Sequence, residues 1–168
     1  MRGFQLWLNL PARLKMTAPR YRDIQPEAIP QVELPGGGKV RVIAGEVAGT
    51  TGAVPLDREA RPTEPYLLDV ALQAGAAVSI PLPEDHNAFV YVYEGRLVLA
   101  GEDALAQSDL AVLGSGDGVE VKAGEQGARL LLGAARPLKE PVARYGPFVM
   151  NSRAEIIQAV EDFREGRF

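Results

Sequence analysis

Short apolar runs separated by glycine and proline recur along this 168-residue chain. They recur at a spacing of about 8–12 residues, which is typical of a β-sandwich or β-barrel. Imperfect alternation within the runs predicts strands that face a filled interior. Between two of them, Glu94-Gly95 predicts a tight hairpin, because glycine readily adopts positive φ. The predicted strands are Val40–Gly45, Tyr66–Leu72, Ala76–Ile80, Phe89–Tyr93, Arg96–Ala100, Leu110–Leu113, Val119–Lys122 and Arg129–Gly133.

The two ends of the chain have different patterns. A predicted N-terminal strand carries apolar side chains on both faces, at Phe4, Leu6, Trp7 and Leu8. Near the C-terminus, Ser152 and Glu155 form an S-x-x-E capping box that predicts the start of a helix. The apolar stripe of that helix is Ile156, Ile157, Val160 and Phe163. We therefore divide the chain into an N-terminal strand and linker (1–37), a barrel (38–137) and a C-terminal extension with an amphipathic helix (138–168).

Composition narrows the functional classes. The net charge is −4 and the pI is about 5.1, so no basic field indicates direct binding to nucleic acid. The chain has no cysteine, which removes disulfides, thiolate metal sites and cysteine nucleophiles, and suits a reducing compartment. No apolar run approaches the roughly 18 residues needed to span a bilayer. We expect a cytoplasmic protein that binds neither nucleic acid nor membrane.

Three segments resemble pirins, which belong to the cupin superfamily. They are FQLWLNLPARLKMTAPRY (residues 4–21), VRVIAGEVAGTTGAV (Val40–Val54) and EPVARYGPFVMNSRAEIIQAVEDFREGRF (residues 140–168). The resemblance is to the second half of a pirin. It implies an all-β fold, a cupin-type (RmlC-like jelly-roll) β-barrel with an N-terminal extension strand and one C-terminal α-helix. It also implies that the family's iron is held by three histidines and a glutamate in a first barrel, which this sequence does not contain.

Cupin barrels have two metal-binding motifs, and the spacing of this sequence shows what occupies each ligand position. The first motif is anchored on Gly75 and Gly95, and the second is laid on the chain from Gly116. The ligand positions then fall at Pro81, Pro83, Ala88 and Gly127. These side chains have no lone pair to offer a metal, so we expect no metal, no other cofactor and no catalytic residue.

Two further features of the barrel have alternative interpretations. His86, the only histidine, lies in the polar stretch PEDHNA. We interpret it as a solvated loop residue, and the alternative is a general base or a lone metal ligand. Phe89, Tyr91 and Tyr93 alternate along one strand and so share a face. We expect them to fill the barrel core, and the alternative is that they line a pocket for a small apolar molecule.

The resemblance also bears on function, since pirins are described as transcription cofactors in animals and quercetin dioxygenases in some bacteria. Without ligands for a metal, this chain is predicted to be a non-catalytic barrel that acts by association. The predicted partner is a second copy or another protein, and the contacts are the apolar residues of the terminal strand and helix. One alternative is a dioxygenase-related protein whose metal barrel lies on a missing segment or a second chain. Another is a small-ligand-binding barrel, and a third is a monomer whose ends fold back on it.

Overall fold

The computed structural model describes residues 3–54, 62–100 and 104–167. The chain separates into two compact units. The barrel unit is Arg22–Pro137, and the terminal unit combines Met1–Tyr21 with Leu138–Phe168. The sequence prediction had assigned the two ends to separate regions, residues 1–37 and 138–168.

The barrel unit is built from antiparallel strands, and the predicted all-β fold is confirmed. The predicted strand at Tyr66–Leu72 is observed with those bounds, and others shift by one or two residues. In chain order the strands are β1 (Gln31–Leu34), β2 (Gly38–Ala44), β3 (Glu46–Val47), β4 (Thr50–Thr51), β5 (Tyr66–Leu72), β6 (Ala77–Pro81), β7 (Asn87–Leu99), β8 (Ala104–Ala106), β9 (Leu110–Val112) and β10 (Gly118–Ala135).

Strands β7 and β10 each join two runs that the sequence predicts as separate strands. Along its second half, β10 pairs with β5 and with the first half of β7. Along its first half, β10 pairs with β6 and with the second half of β7. Both long strands change partners at a glycine of positive φ, Gly95 (76°) and Gly127 (78°). The predicted hairpin at Glu94-Gly95 is therefore wrong, because the chain bends there and continues as one strand.

The resulting strand groups are β1-β2-β5-β10-β7-β9 and β6-β10-β7-β8, the two faces of a jelly roll. Alternate side chains along the strands form one apolar core. The buried positions include Val90 and Val92 in β7 and Leu130 and Leu132 in β10, and these four are fully inaccessible to solvent. The period of two in each strand places these side chains on the same face.

The terminal unit contains a hairpin of β11 (Ala143–Tyr145) and β12 (Phe148–Met150), followed by helix α1 (Arg153–Arg164). Ser152 caps the helix, since its Oγ accepts a hydrogen bond from the Glu155 backbone N–H at 3.3 Å. The predicted capping box is thus observed. The predicted N-terminal strand is not, because residues 4–8 form neither a strand nor a helix. No helix among the described residues is long and apolar enough to cross a membrane.

One carboxylate ties the two parts of the terminal unit together. Glu140 Oε2 accepts hydrogen bonds from the Ala12 backbone N–H at 2.8 Å and from Asn151 Nδ2 at 2.9 Å. Within the N-terminal segment, Lys15 Nζ donates to Asn9 Oδ1 at 2.7 Å. These contacts hold the segment that follows residues 4–8 beside the start of α1.

Candidate functional site

Three of the four expected ligand positions lie at one end of the barrel. Pro81 ends β6, Pro83 is in the following loop, and Ala88 is buried near the start of β7. The backbone N–H of Leu82 donates to the Asp117 carbonyl at 2.9 Å, which joins this loop to the start of β10.

The structure does not bring Gly127 to this end. Gly127 lies beside Gly95, since a Cβ on Gly95 would be 2.2 Å from the Gly127 carbonyl oxygen. Ala88 pairs with Ala134, while Gly95 pairs with Ala128. Seven strand residues separate the two ends, roughly 20 Å at the usual rise per residue.

Gly118, not Gly127, is the β10 residue that lies beside Pro81. It pairs directly with Pro81 across the β6–β10 ladder. A Cβ at Gly118 would be only 2.9 Å from the Ile80 carbonyl oxygen, so the position has no room for a larger residue without a backbone shift. Motif spacing alone places the fourth ligand position at Gly127. Gly118 and Gly127 lie on the same unbroken strand, β10, and Gly127 is far along it from Pro81.

The residues at the expected ligand positions do not fit a transition metal. Metal–ligand bonds of about 2.0–2.3 Å require several nitrogen, oxygen or sulfur side-chain atoms around one point. Pro81, Pro83, Ala88 and Gly118 supply none of these atoms. Within the described ranges, no three His, Cys, Asp or Glu side chains are grouped to hold an ion.

A polar cluster around His86 occupies the same end of the barrel, and sequence reasoning missed it. His86 is buried, with only 7% of its surface exposed, so its interpretation as a solvated loop residue is wrong. Its Nδ1 lies 2.8 Å from Asp85 Oδ1 and its Nε2 lies 3.0 Å from the Glu64 carbonyl oxygen. Arg136 completes the cluster, with Nε 2.8 Å from Asp85 Oδ2 and a guanidinium nitrogen 3.3 Å from Glu64 Oε1.

Both partners of the His86 ring are hydrogen-bond acceptors. The ring therefore bridges the Asp85 carboxylate and the Glu64 carbonyl oxygen. Glu64 has a positive φ (43°), a backbone conformation that is unfavourable for a residue with a side chain. The contact with His86 holds Glu64 in this conformation. The cluster therefore fixes the segment that leads into β5.

Asp85 makes the stability of this cluster sensitive to acid. The hydrogen bond from His86, reinforced by Arg136, lowers the pKa of the Asp85 carboxyl below its usual value of 3.8. A lowered pKa means that the folded state holds this proton less tightly than the unfolded state. The stabilisation is therefore complete above pH 4 and is lost as the pH falls through the lowered pKa.

We expect Asp85→Asn to reduce the free energy of unfolding at pH 7 and to reduce it much less at pH 3. Urea unfolding followed by circular dichroism at both pH values measures this difference. Glu84→Gln is the matched control, because Glu84 is the exposed neighbouring acid. An equal loss at both pH values would show that Asp85 contributes through packing and not through its charge.

The aromatic side chains of β7 lie on the face opposite to the core. Phe89, Tyr91 and Tyr93 are half-buried, while the valines between them are the core residues. The expectation that these aromatics fill the core is therefore wrong, and the same alternation turns them away from any pocket inside the barrel. Phe89 instead covers Gly133 on β10, where a Cβ would lie 2.4 Å from its ring.

Tyr93 belongs to a small charged group on this outer face. Its hydroxyl donates to Asp69 Oδ1 at 2.5 Å, and the Arg129 guanidinium lies 5.2 Å from its ring centre. Burial, followed by the hydrogen bond to Asp69, raises the pKa of the Tyr93 hydroxyl. Since the proton stays on the phenol at neutral pH, this group joins β5, β7 and β10 and offers no nucleophile.

The expected interface residues of the terminal unit fall into two groups. The apolar strip, which we define as Phe4, Leu6, Trp7 and Leu8, is exposed; Trp7 is 70% accessible and the others are 46–51% accessible. The helix stripe is divided, because Ile156 is buried, Val160 is half-buried, and Ile157 and Phe163 are exposed. The helix residues thus do not form one uniform exposed face.

Comparison with known proteins places this geometry in a family. Residues 67–168 match the pirin C-terminal cupin domain. A pirin-like protein of Caulobacter vibrioides is 46% identical over 100% of this chain and 59% of its own length, and the pirin of Mus musculus is 37% identical over 98% of this chain and 56% of its own length. The crystal structure of a quercetin 2,3-dioxygenase from Acinetobacter baumannii is similar with a TM-score of 0.87 and 36% identity, over 96% of this chain and 55% of that one. The chain thus spans less than two thirds of these relatives, and it belongs to the pirin family.

Proposed function

We propose that this chain is a non-catalytic pirin barrel that acts by associating through its apolar strip. The observation that carries the proposal is the exposure of four apolar side chains within residues 4–8, of which Trp7 is 70% accessible. Single exposed apolar residues are common on proteins, whereas contiguous patches mark interaction sites. Tryptophan is also among the residues that contribute most to binding at interfaces. The absence of cysteine from the sequence fits work in a reducing compartment such as the cytoplasm.

The expected occupant of the apolar strip is the strip of a second copy, in a two-fold dimer. Such a contact is self-complementary, because the same patch is buried on both partners. Burial of apolar surface contributes about 25 cal/mol per Å², so covering four large side chains on each partner favours association substantially.

Residue chemistry at the ligand positions argues against catalysis by this chain alone. A metal-dependent dioxygenase needs a metal held by several donor side chains, and Pro81, Pro83, Ala88 and Gly118 have no donors. The glycines of the cupin motif remain at Gly75 and Gly95, where positive φ serves a turn and a strand bend, respectively, and not chemistry.

A second candidate function is favoured by the similarity to a quercetin 2,3-dioxygenase, of which this chain covers 55%. In that case the barrel would support a metal-bearing first barrel supplied by another segment or a second chain. The apolar strip would then contact that first barrel in place of a second copy.

Metal analysis and an oxygen-uptake assay separate the two functions. We expect the purified protein, after incubation with iron, copper or manganese and dialysis, to hold well under one equivalent of metal and to consume no oxygen with quercetin. Stoichiometric metal that only a strong chelator removes would contradict the non-catalytic proposal. Oxygen uptake that appears only after adding the part of the Acinetobacter baumannii quercetin 2,3-dioxygenase that this chain does not cover would favour the second candidate.

A further inference from the structure

A groove in the terminal unit lies between helix α1 and strand β11. Its apolar floor includes Tyr145, Ile157 and Val160, and we call it the helix groove. Ile157 is 53% accessible and Tyr145 is 67% accessible. The apolar strip does not line the helix groove, although Trp7 and Leu8 line an adjoining pocket that shares Arg144 with the groove.

Three arginines surround this apolar floor. Arg153 and Arg164 come from the face of α1 that carries Ile157, and Arg144 comes from β11. All three are exposed, and none of them forms an ion pair with another described residue. Glu161 is the one acidic residue among those lining the groove, so the groove has a net positive charge.

The two units of the chain have net charges of opposite sign, and the unit that contains the groove is the positive one. The terminal unit contains nine Lys or Arg and five Asp or Glu, a net charge of +4, whereas the barrel unit contains nine and seventeen, a net charge of −8. An acidic ligand is therefore repelled by the barrel unit and attracted to the terminal unit.

We propose that the helix groove binds a short acidic segment of a partner protein that carries large apolar side chains. Its apolar residues would cover Ile157, Val160 and Tyr145, while its carboxylates would pair with the arginines, whose planar guanidinium groups suit bidentate contacts. Amphipathic segments bind apolar grooves in this way. This inference rests on the proposed role in association, but it depends on residues outside the apolar strip.

A labelled peptide tests the proposal on the full chain. The probe is a short fluorescein-labelled peptide in which glutamates flank leucines at helical spacing, titrated by fluorescence anisotropy. We expect saturable binding that weakens as salt is added, because exposed charges are screened. Replacing the glutamates by lysines or the leucines by alanines is expected to abolish it.

Charge-reversal variants locate the site. Arg153→Glu with Arg164→Glu is expected to weaken peptide binding about tenfold or more, since each exposed pair is worth roughly 0.2–1 kcal/mol and reversal adds repulsion. Arg96→Glu with Lys122→Glu is the matched control, because both residues are exposed on the barrel unit. Circular dichroism verifies that α1 persists, and Ile157→Ser, which keeps every charge, is expected to weaken binding similarly.

Three outcomes would overturn the proposal. The first is that the lysine peptide binds as tightly as the glutamate peptide, and the second is that the barrel control loses as much peptide affinity as the groove variant. The third is that the groove variants change the oligomeric mass of the protein but not its affinity for the peptide. The last would make a second copy the occupant. Trp7→Ala distinguishes this proposal from the proposed function. It should leave peptide affinity unchanged even where it disrupts self-association, and a parallel loss of peptide binding would count against a separate groove.

Discussion

Replacing Gly95 with alanine is expected to reduce the free energy of unfolding by roughly 2–6 kcal/mol, the sum of a positive-φ penalty and a steric clash. The backbone at Gly95 has φ of 76°, and a Cβ there would lie 2.2 Å from the Gly127 carbonyl oxygen. This contact occurs where both long strands pass from one sheet to the other, so relief requires the two backbones to separate. Chemical denaturation, with the midpoint compared at constant m-value, measures the loss.

Gly75→Ala is the matched control for this variant. Gly75 also has positive φ (68°), but a Cβ there would meet no atom within 4 Å. Its loss should therefore be limited to the conformational penalty, about 1 kcal/mol. Similar losses at Gly95 and Gly75 would show that the close approach to Gly127 contributes nothing.

The fold could be predicted because its signals are local. Period-two alternation, turn glycines and the capping box at Ser152 each report on a few neighbouring residues. Local signals also explain the errors: Gly95 marks a change of backbone direction, but sequence does not reveal whether the chain turns back or continues as a bent strand. Residues 4–8 alternate like a strand, yet a strand also needs a neighbour to satisfy its backbone hydrogen bonds, and their pattern does not supply one.

The sites depend on residues that are distant in sequence. His86 is adjacent to Asp85, but its second ring nitrogen contacts Glu64, 22 positions away. Asp85 is in turn held by Arg136, 51 positions away. No spacing rule connects these positions, so a histidine in a polar stretch was interpreted as solvated. Locating the ligand positions requires the register of the strands as well as the spacing of the motifs. Gly118 is therefore identified only from its pairing with Pro81.

Association through the apolar strip predicts that the protein is a dimer in solution and that Trp7 stabilises the dimer. At micromolar concentration, light scattering is expected to give twice the chain mass of 18.0 kDa. Trp7→Ala is expected to weaken the dimer about 30-fold or more, because central tryptophans at interfaces often contribute 2 kcal/mol or more. Removal of Met1–Leu10 is expected to shift the mass to that of a monomer or to cause aggregation.

Val112→Ala is the control for loss of an exposed apolar side chain, since Val112 is 78% accessible on β9. An equal effect of both substitutions, or a monomer throughout, would contradict association through the strip.

Salt dependence provides an independent test of the two proposed surfaces. A strip-to-strip dimer brings together two terminal units of net charge +4, so screening by salt should strengthen the dimer. Binding of an acidic peptide in the helix groove should weaken under the same conditions, so opposite salt dependences are expected from the two surfaces of one unit.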